Sequence, residues 1–181
     1  MSSQLSADVP AALPAEPTGS SLQRLADLSW QRDAGRSELY FEGIRWTSDQ
    51  VADRARRLSG GLRAAGVAPG DRVVVCMANC PEVTVTYHAI WRAGAVATPV
   101  LFLLSEDELR HVLTDSGAVL VVTTAEFLAK VAAAAASAPG IRGVVVAGDR
   151  DTAAESAVLL LDFAAWSPPS RPHWWIATQT R

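Results

Sequence analysis

The chain is 181 residues long, 49% apolar and 19% charged, which supports one domain with a sizeable core and excludes a wholly disordered chain. Sixteen basic and 19 acidic residues give a net charge of −3 without a basic run, a poor match for nucleic acid. Two cysteines, Cys76 and Cys80, make neither a disulfide framework nor a zinc site. No apolar run approaches the ~18 residues of a membrane span. The longest, Ala95 to Leu104, is interrupted by Pro99. Lys130 is the only lysine against 15 arginines, so chemistry that needs two lysines is excluded. The arginine and alanine bias reads as GC-rich bacterial coding.

Residues 1–19 carry Ser, Pro and Ala without periodicity, basic n-region or apolar h-region. They read as a disordered lead-in, not a secretory signal, and a cytoplasmic location is expected. A helix is expected from Ser21 to about Arg32, capped by Ser20 or Ser21, with Leu22, Leu25, Ala26 and Ser29 at helical spacing. Two short apolar runs around Glu42-Gly43 predict a small hairpin over 39–46.

Thr47 and Gln50 form a capping box, and Val51, Ala55, Leu58, Leu62 and Ala65 make one apolar stripe behind it. Arg54, Arg56, Arg57 and Arg63 are expected on the remaining, solvated surface. Gly60-Gly61 inside this helix cost about 1 kcal/mol each relative to Ala, which predicts the close approach of another backbone. Gly66 is a C-terminal stop, and Pro69-Gly70-Asp71 a turn.

From Arg72 to Ala147 one theme repeats. Arg72–Met77 is a continuous apolar run, as in a strand buried on both faces. A helix starts at Pro81 with Glu82 in its first turn, buries Val83, Tyr87, Ile90 and Trp91, and stops at Gly94. Ala95–Leu101 is a second strand. Ser105 and Glu108 cap a helix with Leu109, Val112 and Leu113 inside, stopped by Gly117. Ala118–Thr123 is a third strand, Ala125–Ala138 a helix and Ile141–Ala147 a fourth strand, with Val158–Leu161 one more candidate. This alternation predicts an α/β fold with a parallel sheet of βαβ units.

The domain layout that follows is a lead-in over 1–19, a domain over 20–150 and an irregular tail over 151–181. Three of six tryptophans and three of ten prolines fall in residues 166–181, so the composition changes there.

In a parallel sheet, ligands bind at the C-terminal strand ends. After the first strand stands Ala78-Asn79-Cys80-Pro81-Glu82, which is neither G-x-G-x-x-G nor a Ser/Thr/Gly-rich phosphate loop. Asn79 and Thr123-Thr124 occupy the positions where a phospho-acceptor receiver needs acids. Asn79 reads as a cap for the Pro81 helix before it reads as a ligand contact. Glu82 reads as a dipole-complementing acid, Cys76 as core, and Cys80 as a thiol at a helix N-terminus without a partner base. His88, His111 and His173 are too dispersed for metal spacing. His88 reads as a partly buried helix residue that could line a cleft, and Lys130 as a snorkelling surface lysine. No catalytic, cofactor-binding or metal-binding residue is assigned.

The ordered series Leu58-Ser59-Gly60-Gly61-Leu62-Arg63-Ala64-Ala65-Gly66-Val67, Pro69-Gly70-Asp71-Arg72-Val73, Asn79, Pro81-Glu82, His88-Ala89-Ile90, Arg92-Ala93-Gly94-Ala95-Val96 with Pro99, Ser105-Glu106-Asp107-Glu108-Leu109 and Thr114-Asp115-Ser116-Gly117-Ala118 resembles the N-terminal part of AMP-forming acyl-CoA synthetases, in the adenylate-forming superfamily. The resemblance covers about Leu22 to Gly148. It implies ATP- and Mg²⁺-dependent activation of a carboxylic acid, such as a fatty acid, as an acyl-adenylate, then transfer to the thiol of coenzyme A. It also implies that the lysine-bearing phosphate loop, the adenine and ribose motifs and the C-terminal catalytic lysine follow the matched region. None is present here, so the matched residues are scaffold and no cofactor is expected for this chain. The expectation is a synthetase fragment cut short, with a frameshifted tail, inactive and prone to self-association through exposed sheet faces. The alternatives are a non-catalytic α/β module pairing with a separate chain and a small-ligand domain using Asn79 and His88.

Overall fold

Capping chemistry starts the first helices where the sequence puts them. The computed structural model describes residues 21–148 and 157–166. The lead-in over 1–19, His173 and most of the 151–181 tail lie outside the described residues. Helix α1 (Leu22–Arg32) begins at Ser21, whose hydroxyl accepts from the Arg24 amide at 3.2 Å. An antiparallel hairpin follows, β1 (Ser37–Phe41) and β2 (Ile44–Thr47). Its turn residues Glu42 and Gly43 both take positive φ, +46° and +80°. Two consecutive left-handed residues match the twist of a tight hairpin. Helix α2 (Ser48–Ala64) opens with the Thr47–Gln50 capping box. Helix α4 (Glu106–Asp115) opens with the Ser105–Glu108 box.

The remaining elements are β3 (Arg72–Cys76), α3 (Pro81–Arg92), β4 (Val96–Pro99), β5 (Ala118–Thr124), α5 (Leu128–Ala136), β6 (Gly143–Ala147), β7 (Leu160–Asp162) and the short α6 (Phe163–Trp166). The main sheet has the order β4-β3-β5-β6-β7 and every pairing in it is parallel. The predicted βαβ alternation is therefore the observed one.

Strand alternation divides the core in two. Val73, Val75, Leu120, Val122, Val145 and Ala147 face α2, α3, α6 and the hairpin. Val74, Cys76, Val121, Val144 and Val146 face α4 and α5. Each fully buried Val or Leu contributes about 1.5–3 kcal/mol relative to exposure. The central strands β3, β5 and β6 are covered on both faces by the chain's own helices, while the edge strands β4 and β7 are only partly covered. The exposed apolar side chains lie elsewhere: Leu22, Leu25 and Leu28 on α1, Val96 on the edge strand β4, and Leu101, Leu103 and Leu159.

Three sequence expectations are corrected. Helix α1 is turned over: Leu22 and Leu25 are exposed, while Ala26 and Trp30 pack inward. The inward side also carries Asp27, which pairs with Arg92 of α3, so specific partners outweigh the leucines. In α3 the fully buried positions are Val85, Thr86, Ala89 and Ile90, with Val83, Tyr87 and Trp91 only partly buried. That helix is packed by α1 on one side and α2 on another, so one stripe does not describe it. At Gly60-Gly61 the nearest approach is that of a side chain. A Cβ at Gly60 would meet nothing within 4 Å, whereas one at Gly61 would overlap the indole ring of Trp166.

The two glycines therefore separate in one experiment. Gly60→Ala is expected to raise stability by up to about 1 kcal/mol through helix propensity. Gly61→Ala is expected to lower it by about 1–3 kcal/mol as Trp166 is displaced. Denaturant unfolding of both variants reads the difference, and equal effects would contradict the Trp166 seat.

Candidate functional site

The C-terminal strand ends are closed by the chain's own polar groups. At β3 and β5 the Thr123 hydroxyl donates to the Cys76 carbonyl at 2.7 Å, a buried bond that ties the two strands together. Thr124 donates to Glu126 at 3.2 Å. Asn79 is exposed, and the N-cap position of α3 belongs to Cys80, which makes no side-chain cap bond. The expected Asn79 cap is thus not formed. The Val83 amide is met instead by the Cys80 main-chain carbonyl at 3.1 Å.

Lys130 is not a snorkelling surface residue. Its ammonium donates to the carbonyls of Phe102 and Leu104, the latter at 2.7 Å, and lies 5.6 Å from the centroid of the Phe127 ring. The only lysine of the chain thereby holds the segment between β4 and α4 against α5. A second cation, Arg72, donates to the carbonyls of Ser116 and Gly117 at 2.8 and 2.9 Å and satisfies the exit of α4.

The most buried charges form an ion pair that the sequence reading missed. Arg54 of α2 is 5% exposed and Glu82 of α3 is 7% exposed. Arg54 Nη2 donates to Glu82 Oε1 at 3.2 Å. The guanidinium lies 4.9 Å from the Trp46 ring centroid and 5.8 Å from that of Phe163. Arg54 was expected to be solvated, and Glu82 to serve only the helix dipole. The signal was present: Arg54 lies three residues after Val51 and four before Leu58, inside the buried stripe.

His88 sits between α1 and α3. Its ring is 4.6 Å from Trp30 and 5.2 Å, edge-on, from Trp91. Asn79 is exposed two residues ahead of α3, while His88 is half-buried seven residues into that helix against Trp30 of α1, so the contacts of His88 do not include Asn79. Burial and the Arg92 guanidinium push the His88 pKa below its usual range, against an opposing pull from Asp27. His111 is exposed.

Neither thiol is primed. Burial, followed by the nearby Glu82 carboxylate, pushes Cys80 up to about 12, and burial also raises Cys76. Among the described residues no group of three or more His, Cys, Asp and Glu could hold a metal ion. No described helix is long and apolar enough to cross a membrane. The described strand ends thus offer structural polar contacts but no assembled phosphate, metal or nucleophile site.

Comparison with known proteins explains this pattern. The family model described as AMP-binding enzyme matches residues 27–174. A feruloyl-CoA synthase of Amycolatopsis sp is 46% identical over 94 residues, covering 52% of this chain and 19% of the relative. Triostin synthetase I of Streptomyces triostinicus is 40% identical over 133 residues, covering 71% of this chain and 25% of the relative. Among solved structures, an anthranilate CoA ligase in complex with anthranoyl-AMP superposes with a TM-score of 0.76 at 22% identity, over 85% of this chain and 29% of that one. The chain therefore spans about a fifth to a quarter of the length of these two curated relatives.

Two outcomes follow from the site geometry. Glu82→Ala leaves the Arg54 charge buried without its carboxylate and is expected to cost about 3–5 kcal/mol in denaturant unfolding. A loss below about 1 kcal/mol would contradict the buried pairing. Alkylation of Cys80 by iodoacetamide in the folded chain is expected to keep rising through pH 10 without a plateau. A plateau near the ordinary thiol range would contradict the raised value.

Proposed function

This chain belongs to the AMP-binding enzyme family, and we propose that it is the N-terminal scaffold portion of a longer acid–CoA ligase and does not catalyse adenylation by itself. In that reading the longer enzyme joins a carboxylic acid to coenzyme A through an acyl-adenylate, using ATP and Mg²⁺. It works in the cytoplasm, where both co-substrates are made. The supporting relatives include the feruloyl-CoA synthase and a Bacillus subtilis long-chain-fatty-acid–CoA ligase, 28% identical over 116 residues and covered over 20% of its length.

The observation that carries the inactivity is the fate of Lys130. Adenylation develops negative charge on phosphoryl oxygens and needs placed cations and donors. The only lysine in the chain is committed to two backbone carbonyls. No catalytic step is therefore assigned to this chain.

A non-catalytic module paired with a separate chain is the second reading, favoured by the outward-facing Leu22, Leu25 and Leu28 of α1. A stoichiometric partner retained on purification would select it.

ATP–pyrophosphate exchange by the purified chain, with ferulate, benzoate and a long-chain fatty acid each supplied in turn, is expected to stay at background. Acid-dependent exchange would overturn the scaffold reading.

A further inference from the structure

The contact between α1 and α3 is built around a histidine that has no place for a second proton. The His88 ring is enclosed by Trp30 of α1, tilted at 54°, and by Trp91 of α3, edge-on at 85°. Its Nδ1 is buried and has no hydrogen-bond partner among the described residues. Its Nε2 lies 4.0 Å from Oε1 of Glu38 on β1, beyond hydrogen-bond reach. The other oxygen of Glu38 is engaged, accepting from Trp30 Nε1 at 2.7 Å. The remaining charged groups on this seam are Asp27 of α1 and Arg92 of α3, paired with each other.

We propose that α1 and the β1–β2 hairpin form an acid-released clasp on α3, with His88 as the group that releases it. Protonation turns Nδ1 into a donor aimed where no acceptor lies, and a buried donor without an acceptor is costly. It also adds a positive charge beside Arg92. Glu38 Oε1 stands 4.0 Å from Nε2, while Oε2 is held by the Trp30 indole, so the carboxylate serves the charged ring only from beyond hydrogen-bond reach and leaves Nδ1 without an acceptor. The unpaired Nδ1 donor weakens the contact that seats α1. The neutral ring keeps Glu38 on Trp30 and the clasp closed. The sign is fixed by the geometry and agrees with the depressed His88 pKa. The open state binds the proton more tightly, so closure is complete above the ordinary histidine range and is lost as pH falls below it.

The test is amide hydrogen exchange of the 181-residue chain at pH 7.5, 6.5 and 5.5, expressed as protection relative to intrinsic chemistry. Protection of residues 22–41 is expected to fall by up to about tenfold per pH unit below 6.5. Protection of β3 and β5 is expected to stay constant. His88→Gln should remove the pH dependence of 22–41. Glu38→Gln should enlarge it, because the closed state loses the carboxylate that partly favours the charged ring. Titration of the His88 ring by NMR in the unmutated chain is a readout that requires no variant, and is expected to lie below the ordinary histidine range. Constant protection of 22–41 across this range, a full acid response in His88→Gln, or a His88 titration within or above the ordinary histidine range would each overturn the proposal.

Discussion

The buried Arg54–Glu82 pair is the constraint around which one side of the molecule is organised. It joins α2 to α3, and its guanidinium lies near Trp46 of the hairpin and Phe163 of α6. Four elements from distant parts of the sequence thus depend on one charge being placed correctly. A buried ion pair is not by itself a source of net stability, because desolvation offsets the attraction. Its effect is to penalise misplacement: shifting α2 against α3 by one helical turn would leave both charges buried and separate. The pair therefore fixes register where the apolar stripe of Val51, Ala55, Leu58 and Leu62 would tolerate sliding.

That registration reaches the end of the described chain. Phe163 is buried in the same cluster, and Trp166 follows it on α6 to rest on Gly61. Asp162 prepares this turn by accepting from the Ala164 amide at 2.8 Å. Gly61 is tolerated in a helix interior because any side chain there would exclude the indole. β7 then adds to β6 in parallel, and α6 packs against β6 on this side. A tryptophan that composition alone assigns to an unusual tail is therefore an integral part of the packed domain.

The legible features were those whose cause is local. Ser21, Thr47 and Ser105 cap helices because their hydroxyls reach amides three residues on, and Gly66, Gly94 and Gly117 end them because the chain there needs φ of +86°, +79° and +59°. The continuous apolar runs of β3, β5 and β6 marked a sheet covered on both faces. What escaped was decided by partners distant in sequence. Leucine spacing in α1 pointed the wrong way because Asp27 and Trp30 are claimed by Arg92 and Glu38. Lys130 looked solvated because its acceptors, 26 and 28 residues upstream, are carbonyls and carry no sequence signature. Arg54 was the exception, since its place within the buried stripe was readable. No active-site residue was assigned from sequence, and the described residues add none.

The use of cations in this chain bears on where chemistry can reside. Phosphate recognition needs guanidinium or ammonium groups with unspent donors, or free amides at a helix start. Here Arg72 and Lys130 donate to main-chain carbonyls, while Arg92 and Arg142 pair through Nη2 with Asp27 and Asp71. The start of α3 is occupied by Pro81, which offers no amide, and by Glu82, which would repel an anion. The sheet edge where nucleotides bind in other parallel α/β folds is therefore electrostatically closed at this helix. A domain built this way uses these cations to hold neighbouring elements in place.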